Sequence, residues 1–171
     1  MKTTSHAWHQ FLQILFITCY ITASLTLLRI FSHDLTFWVV GAGSLASSCV
    51  LVFLNPSSNS ASTYNTVFSY TIALLTALIV REAKYFITHH THLLQMMNPH
   101  IFIMILIFIA IFITLYLFAI LHISHPPAIG LTLVLTAGDR SYIIFILLMI
   151  LISALALIKR LVEPMLHNIV E

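Results

Sequence analysis

The charged residues of this chain avoid its apolar runs, and this segregation constrains the fold more than any other feature. Seven Lys and Arg and five Asp and Glu make up only 7% of the 171 residues, whereas an average soluble domain is about 25% charged. A charge at the centre of a membrane helix costs about 2.5–3.5 kcal/mol on insertion scales, so membrane partitioning produces this kind of segregation. The sequence therefore predicts an all-α, polytopic membrane helical bundle.

About five apolar runs have the length of a membrane span, for which about 20 residues are needed. They cover residues 11–28, 35–54, 64–80, 101–121 and 141–158. Together with short half-helices broken by Pro or Gly, these runs predict a single membrane domain over residues 1–171. Its expected parts are an interfacial N-terminus at 1–10, a transmembrane bundle at 11–158, a His-rich linker at 81–100 and an interfacial tail at 159–171.

One break in the apolar pattern is marked by two consecutive prolines, Pro126 and Pro127. Proline cannot continue a helix, but it can open one, because its missing N–H falls where that group would have no partner. The pattern predicts a chain break at Ser124 and His125, followed by a short helix to about Ala137, roughly half the length of a span. The N-terminus of such a half-helix carries partial positive charge inside the membrane.

A second interruption lies in the run at 35–54, where residues 41–48 are nearly all small. Small residues allow two helices to approach closely, which is one interpretation. The other is a break at residues 41–44, with Ser44 capping a half-helix over 45–54. Both halves of the chain then have a long helix, a broken segment and a closing helix, which suggests two inverted three-element repeats.

The distribution of Lys and Arg bears on orientation. With five full spans and a re-entrant Pro-Pro segment, one side holds most of the basic residues: Arg29, Arg81, Lys84, Lys159 and Arg160. The positive-inside rule then places the C-terminus in the cytoplasm and the N-terminus outside, with a bacterial inner membrane as the expected location. If the Pro-Pro segment crosses the membrane, both termini share a side and the bias falls to four basic residues against three.

Two motifs in this order suggest a family. Residues 124–128 (Ser-His-Pro-Pro-Ala) after a long apolar helix resemble the signature of the HPP family of integral membrane proteins. Residues 43–53, followed by Pro-Ser-Ser at 56–58, are similar to that family's first block, and Asn65 falls where the family usually has an Asn. The resemblance runs from about residue 35 to 160. Departures from the family pattern include Ala and Ile at 128–129 in place of glycines.

Some members of the HPP family act in nitrite transport, so the resemblance implies a transporter or channel for a small inorganic anion, with nitrite as the candidate. The two breaks, at residues 43–48 and 125–129, would present helix N-termini and hydroxyl groups to the anion without a Lys or Arg inside a span. The expected substrate-binding residues are Ser44, Ser47, Ser48, Asn65, His125, Pro126, Pro127 and Ala128. His125 could also carry a proton with the anion, because histidine titrates near neutral pH.

Other functions are weighed against transport. The chain could be a structural or accessory membrane subunit in which the motif only fixes helix packing. An enzyme is not expected, because the spans hold no carboxylate pair, no Ser-His-Asp set and no metalloprotease motif. We expect no cofactor and no nucleic-acid partner, but we do expect contact with the lipid bilayer and a homo-oligomer. His89, His90 and His92 are a weak candidate for a Zn²⁺ or Cu²⁺ site, since no Cys or carboxylate joins them.

Overall fold

The computed structural model describes residues 2–31, 35–90, 98–138 and 142–166, and most of this backbone is helical. The predicted all-α bundle is confirmed. Within the described residues there are six α-helices: α1 (Lys2–Phe31), α2 (Leu35–Leu54), α3 (Thr63–His90), α4 (Pro99–Leu121), α5 (Pro126–Ala137) and α6 (Tyr142–Val162). Short 3-10 turns lie at Asn59–Ala61 and Glu163–Met165.

Four segments of the described chain are long and apolar enough to cross a membrane: Gln10–Phe31, Thr63–His90, Pro99–Leu121 and Tyr142–Met165. Two shorter apolar helices, Gly41–Leu54 and Pro126–Ala137, accompany them. α4 is the most apolar of the long helices, and only four of its 23 residues are buried inside the bundle. It therefore presents most of its surface to the hydrocarbon of the bilayer.

Contacts between helix ends show that successive helices run in opposite directions. The amide of Gln13, early in α1, donates to the carbonyl of Phe53 at the end of α2. The guanidinium of Arg81, late in α3, lies 5.0 Å from the ring centroid of Tyr142 at the start of α6. We call the end of the bundle that carries residues 55–62 and 122–125 the loop end, and the opposite end, where Arg81 lies, the far end.

The helix α5 runs from the loop end towards the far end, which favours the crossing alternative over the preferred re-entrant topology. It begins beside Ser60 in the loop, to which the ring of His125 is bonded, and it ends shortly before Tyr142. It runs antiparallel to α4, with the hydroxyls of Thr114 and Thr132 3.4 Å apart. The helix has 12 residues, which corresponds to a length of about 18 Å. In the turn before it, Ile123 and His125 are buried, whereas His122 and Ser124 are exposed.

Both ends of the described chain consequently lie at the loop end. Phe16 of α1 lines the same cavity as Val162, the last residue of α6, and Met165, which follows it. The described basic residues divide three against three between the two ends, and Arg140 lies outside the described residues, so their distribution does not determine the orientation. The predicted inverted repeats stay a prediction; the first three-helix unit begins at the loop end with α1, and the second begins at the far end with α4.

The predicted break in α2 is wrong, and the close-packing interpretation describes this segment better. α2 is continuous over Leu35–Leu54, which keeps its backbone groups bonded within the membrane. A Cβ atom built on Gly130 of α5 would lie 3.9 Å from the Cβ of Ser44, so the two backbones approach closely at this point. Ser44 is therefore inside a helix and does not cap one.

Helical structure extends into three of the predicted segments, whose assignment to the interface or to a linker stays a prediction. α3 continues through Arg81 to His90, so the predicted His-rich linker at 81–100 begins inside a helix. α1 begins at Lys2 and α6 ends at Val162, so helical structure extends into both segments that were assigned to the interface. Interior helices gain length here because backbone hydrogen bonding favours helix wherever the chain remains near lipid.

The topology predicts that reporters fused to the two termini face the same side of the membrane. Protease protection of N-terminal and C-terminal tags in sealed vesicles of one orientation measures this, and we expect both tags to be cleaved or both to be protected. Cleavage of only one tag would contradict the crossing of α5.

Candidate functional site

His125 lies at the centre of a buried polar cluster. The residue immediately precedes α5, and its side chain is 0% exposed. Its Nδ1 atom lies 2.7 Å from the carbonyl oxygen of Ser60, and its Nε2 atom lies 2.8 Å from Oγ of Ser48. A carbonyl oxygen can only accept a hydrogen bond, so in the neutral ring Nδ1 carries the proton and Nε2 accepts from Ser48.

The local sequence explains why His125 occupies this position. α4 ends at Leu121, the capping residue His122 adopts the left-handed conformation with φ 52°, and the chain then reverses. Pro126 and Pro127 occupy the first turn of α5, where the missing proline N–H costs nothing. The reversal places the imidazole between the loop at 55–62 and the middle of α2.

Tyr70 of α3 and two serines of α2 complete the cluster. The Tyr70 hydroxyl lies 2.5 Å from Oγ of Ser48 and 3.0 Å from the carbonyl oxygen of Ser44. Ser44 Oγ donates to the carbonyl of Pro127 at 2.5 Å, which fastens α2 to the first turn of α5. Ser44 and Ser48 are one helical turn apart and therefore share a face of α2. The cluster thus joins α2, α3 and α5.

The hydrogen bonds of the cluster permit two arrangements of protons. With a neutral ring, Tyr70 donates to Ser48, and Ser48 donates to Nε2 of His125. With a protonated ring, Nε2 donates to Ser48 instead, whose hydroxyl can turn to the carbonyl of Ser44 at 3.1 Å. Tyr70 can also donate to that carbonyl. The cluster can therefore accept a proton while each of its donors keeps an acceptor.

Two buried hydroxyls on α3 have no hydrogen-bond partner among the described residues. They are Oγ1 of Thr66 and Oγ of Ser69. Thr66 shares a face of the helix with Tyr70, four residues later, and with Ser69, three residues later. An unsatisfied buried polar group costs about 1–3 kcal/mol, and a bound water or ion is a common reason for one.

The structure brings some of the predicted site residues together and separates others. Ser44, Ser48 and His125 meet through their side chains, and Pro127 joins them through its carbonyl. Ala128 is buried, but its N–H already donates to the carbonyl of His125 at 3.0 Å. The N–H group that was expected to bind the anion therefore already has a partner. An N-terminal 3-10 bond of this kind commonly satisfies the first turn of a helix.

Three other predicted residues lie outside the cluster. Ser47 is exposed on α2 and bonds back to the carbonyl of Ser44. Pro126 is exposed at the start of α5. Asn65 donates to the carbonyl of Asn59 at 2.7 Å and so holds the loop.

Sequence reasoning missed Tyr70 and two buried basic residues. Lys159, assigned to an interfacial tail, is 2% exposed. Arg81, assigned to a linker, is also buried, and its guanidinium lies 4.4 Å from the ring centroid of Phe145. The signal for Lys159 was its helical phase, since it continues the buried face formed by Leu148, Ile152 and Leu155.

The His-rich segment forms no metal centre in the part of the chain that the structure describes. His89 and His90 are exposed on α3, where their rings stack on Tyr85 and Phe86. His92, the third predicted ligand, lies outside the described residues. Among the residues that are described, no three His, Cys, Asp or Glu side chains are grouped as metal ligands would be.

The fold and the cluster together define a polytopic helical membrane protein with a polar site between its helices. The chain matches the family model described as HPP, transmembrane region, over residues 3–169. It therefore belongs to the HPP transmembrane family, as the two sequence motifs suggested. Neither the comparison with curated proteins nor the comparison with solved structures found a match.

The cluster predicts different effects for two Tyr-to-Phe variants in α3. Tyr70→Phe removes a buried hydroxyl, so Ser48 and the carbonyl of Ser44 each lose a hydrogen bond. The free energy of unfolding should therefore fall by about 1–3 kcal/mol. Tyr64→Phe, at a side chain that is 57% exposed, should change it by less than about 0.5 kcal/mol. Denaturant unfolding in detergent measures both. Equal losses would contradict the cluster.

Proposed function

We propose that this protein transports a small inorganic anion across the membrane, with nitrite as the first candidate. The binding site comprises His125, Ser48, Tyr70 and the neighbouring hydroxyls of Thr66 and Ser69. Membership of the HPP transmembrane family supports a transport-related membrane role. Nitrite comes from the family resemblance, in which some members act in nitrite transport.

The single observation that carries the proposal is the pair of unpartnered hydroxyls beside a satisfied cluster. A hydroxyl that only fixed packing would be expected to bond to its own helix, as that of Thr71 does to the carbonyl of Val67 at 2.8 Å. The hydroxyls of Thr66 and Ser69 instead have no partner among the described residues, and Thr66 lies on the helix face that carries Tyr70. Hydroxyl donors suit an anion that must also leave the site, since they bind it without the strong attraction of a buried Lys or Arg.

The two proton arrangements of the cluster extend the proposal to the coupling ion. Nitrite is the anion of a weak acid, so its movement with a proton is electrically neutral. His125 can receive that proton because its Nε2 atom can then donate to Ser48, and Ser48 can relay it because its hydroxyl can turn to the carbonyl of Ser44. We therefore propose that the anion moves together with a proton.

A structural or accessory subunit is the alternative, and one observation favours it. Both ring nitrogens of His125 are already bonded within the chain, which would serve a side chain that only ties the loop to α2. The two functions differ in what they require of Ser48. Transport requires its hydroxyl to exchange partners, whereas packing requires only that the residue fits.

Anion uptake by proteoliposomes tests the proposal with a matched pair of serines. Ser48→Ala removes a cluster hydroxyl, and losing a hydrogen bond of about 1.4 kcal/mol should slow nitrite uptake about ten-fold. Ser47→Ala removes the neighbouring, exposed hydroxyl and should leave uptake within about two-fold of the wild type.

The controls are empty liposomes and the melting temperature of each variant. Protein-dependent uptake that falls only in Ser48→Ala supports the site. Absence of uptake of nitrite, nitrate, formate and chloride by folded wild-type protein would overturn transport and leave the structural subunit. Equal uptake by the two serine variants would show that the cluster is not the pathway.

A further inference from the structure

Lys159 is a buried basic residue that the proposed transport step does not use. Its Nζ atom lies 2.5 Å from the carbonyl oxygen of Ala61 and 3.4 Å from that of Pro56. Both carbonyls belong to the loop at residues 55–62. A lysine at such a place in a membrane protein is costly, and such residues are commonly functional.

Lys159 and His125 hold neighbouring carbonyl groups of one 3-10 turn. His125 Nδ1 donates to the carbonyl of Ser60, and Lys159 donates to the carbonyl of Ala61, the next residue in the chain. Asn65 holds the first residue of the turn through its carbonyl. Three side chains from three helices therefore fix one turn at the loop end.

We propose that Lys159 is a positioning residue that sets the tautomer of His125. The peptide planes of a 3-10 turn are linked, so holding the Ala61 carbonyl limits the rotation of the preceding Ser60 carbonyl. That carbonyl faces Nδ1 and requires a proton there. Nε2 is then left as the acceptor for Ser48, which is the arrangement that the cluster needs. In the other tautomer, the lone pair of Nδ1 would face the Ser60 oxygen.

The charge of Lys159 matters to this role more than its volume does. A charge-assisted hydrogen bond is about twice as strong as a neutral one, so the ammonium group holds the carbonyl firmly. Buried charges rarely stabilise a protein more than apolar residues of similar size, and Met would fill much of the same volume. The role of this tautomer in anion transport rests on the proposed function, whereas the effect of Lys159 on the tautomer does not.

Nitrogen NMR of the protein labelled with ¹⁵N-histidine tests the inference. At pH 8 an ordinary imidazole is neutral, and the signal of His125 is assigned by its loss in His125→Gln. We expect wild-type His125 to be protonated at Nδ1, and Lys159→Met to show a substantial population protonated at Nε2. Arg160→Met, which removes the adjacent and exposed charge of the same helix, should retain the wild-type spectrum.

A second variant keeps the inference testable if Lys159→Met does not fold. Lys159→Gln retains a neutral donor for the Ala61 carbonyl, and we expect an Nε2-protonated population smaller than in a folded Lys159→Met protein but above the wild type. An Nε2-protonated ring in the wild type, or a wild-type spectrum in the folded variant, would overturn the inference.

The NMR result and the uptake result are separable. Wild-type protein that takes up no anion but shows the expected tautomer change would contradict the proposed function and support the role of Lys159. Nitrite uptake by the wild type with an unchanged tautomer in Lys159→Met would support the proposed function and contradict the role of Lys159.

Discussion

A polar group that is buried without a hydrogen-bond partner is costly, and the imidazole of His125 has two partners where the helical path is interrupted. The ring bonds to the loop through Nδ1 and to α2 through Nε2. His125 therefore links the start of α5 both to the loop and to α2.

The same requirement explains how the site differs from the one expected. A helix break in α2 would have exposed additional backbone groups, whereas a continuous helix satisfies them and lets Ser44 and Ser48 point to α5 from one face. The donors offered by the site are therefore hydroxyl groups on α2 and α3 rather than two free helix ends. Such donors can rotate, and rotation allows the cluster to hold a proton or to release one.

Part of this arrangement could be predicted from the sequence because it follows from local chemistry. Two prolines after His125 fix where α5 begins, and their constraint acts over a few residues. The crossing of α5 and the burial of Lys159 could not be predicted in this way, because both depend on which helices surround them. Tyr70 was missed because an aromatic residue in an apolar run has the same pattern whether it faces lipid or a serine on another helix.

The central claim is that the unpartnered hydroxyls beside Tyr70 serve an anion, and Thr66→Val tests it most directly. Valine has nearly the shape of threonine without its hydroxyl. If the hydroxyl is unpaired until the anion binds, the variant should melt at a temperature equal to or above that of the wild type. Nitrite binding, measured by titration calorimetry, should weaken about ten-fold. Unchanged nitrite binding in a folded Thr66→Val protein, or no nitrite binding by the wild type, would contradict the claim.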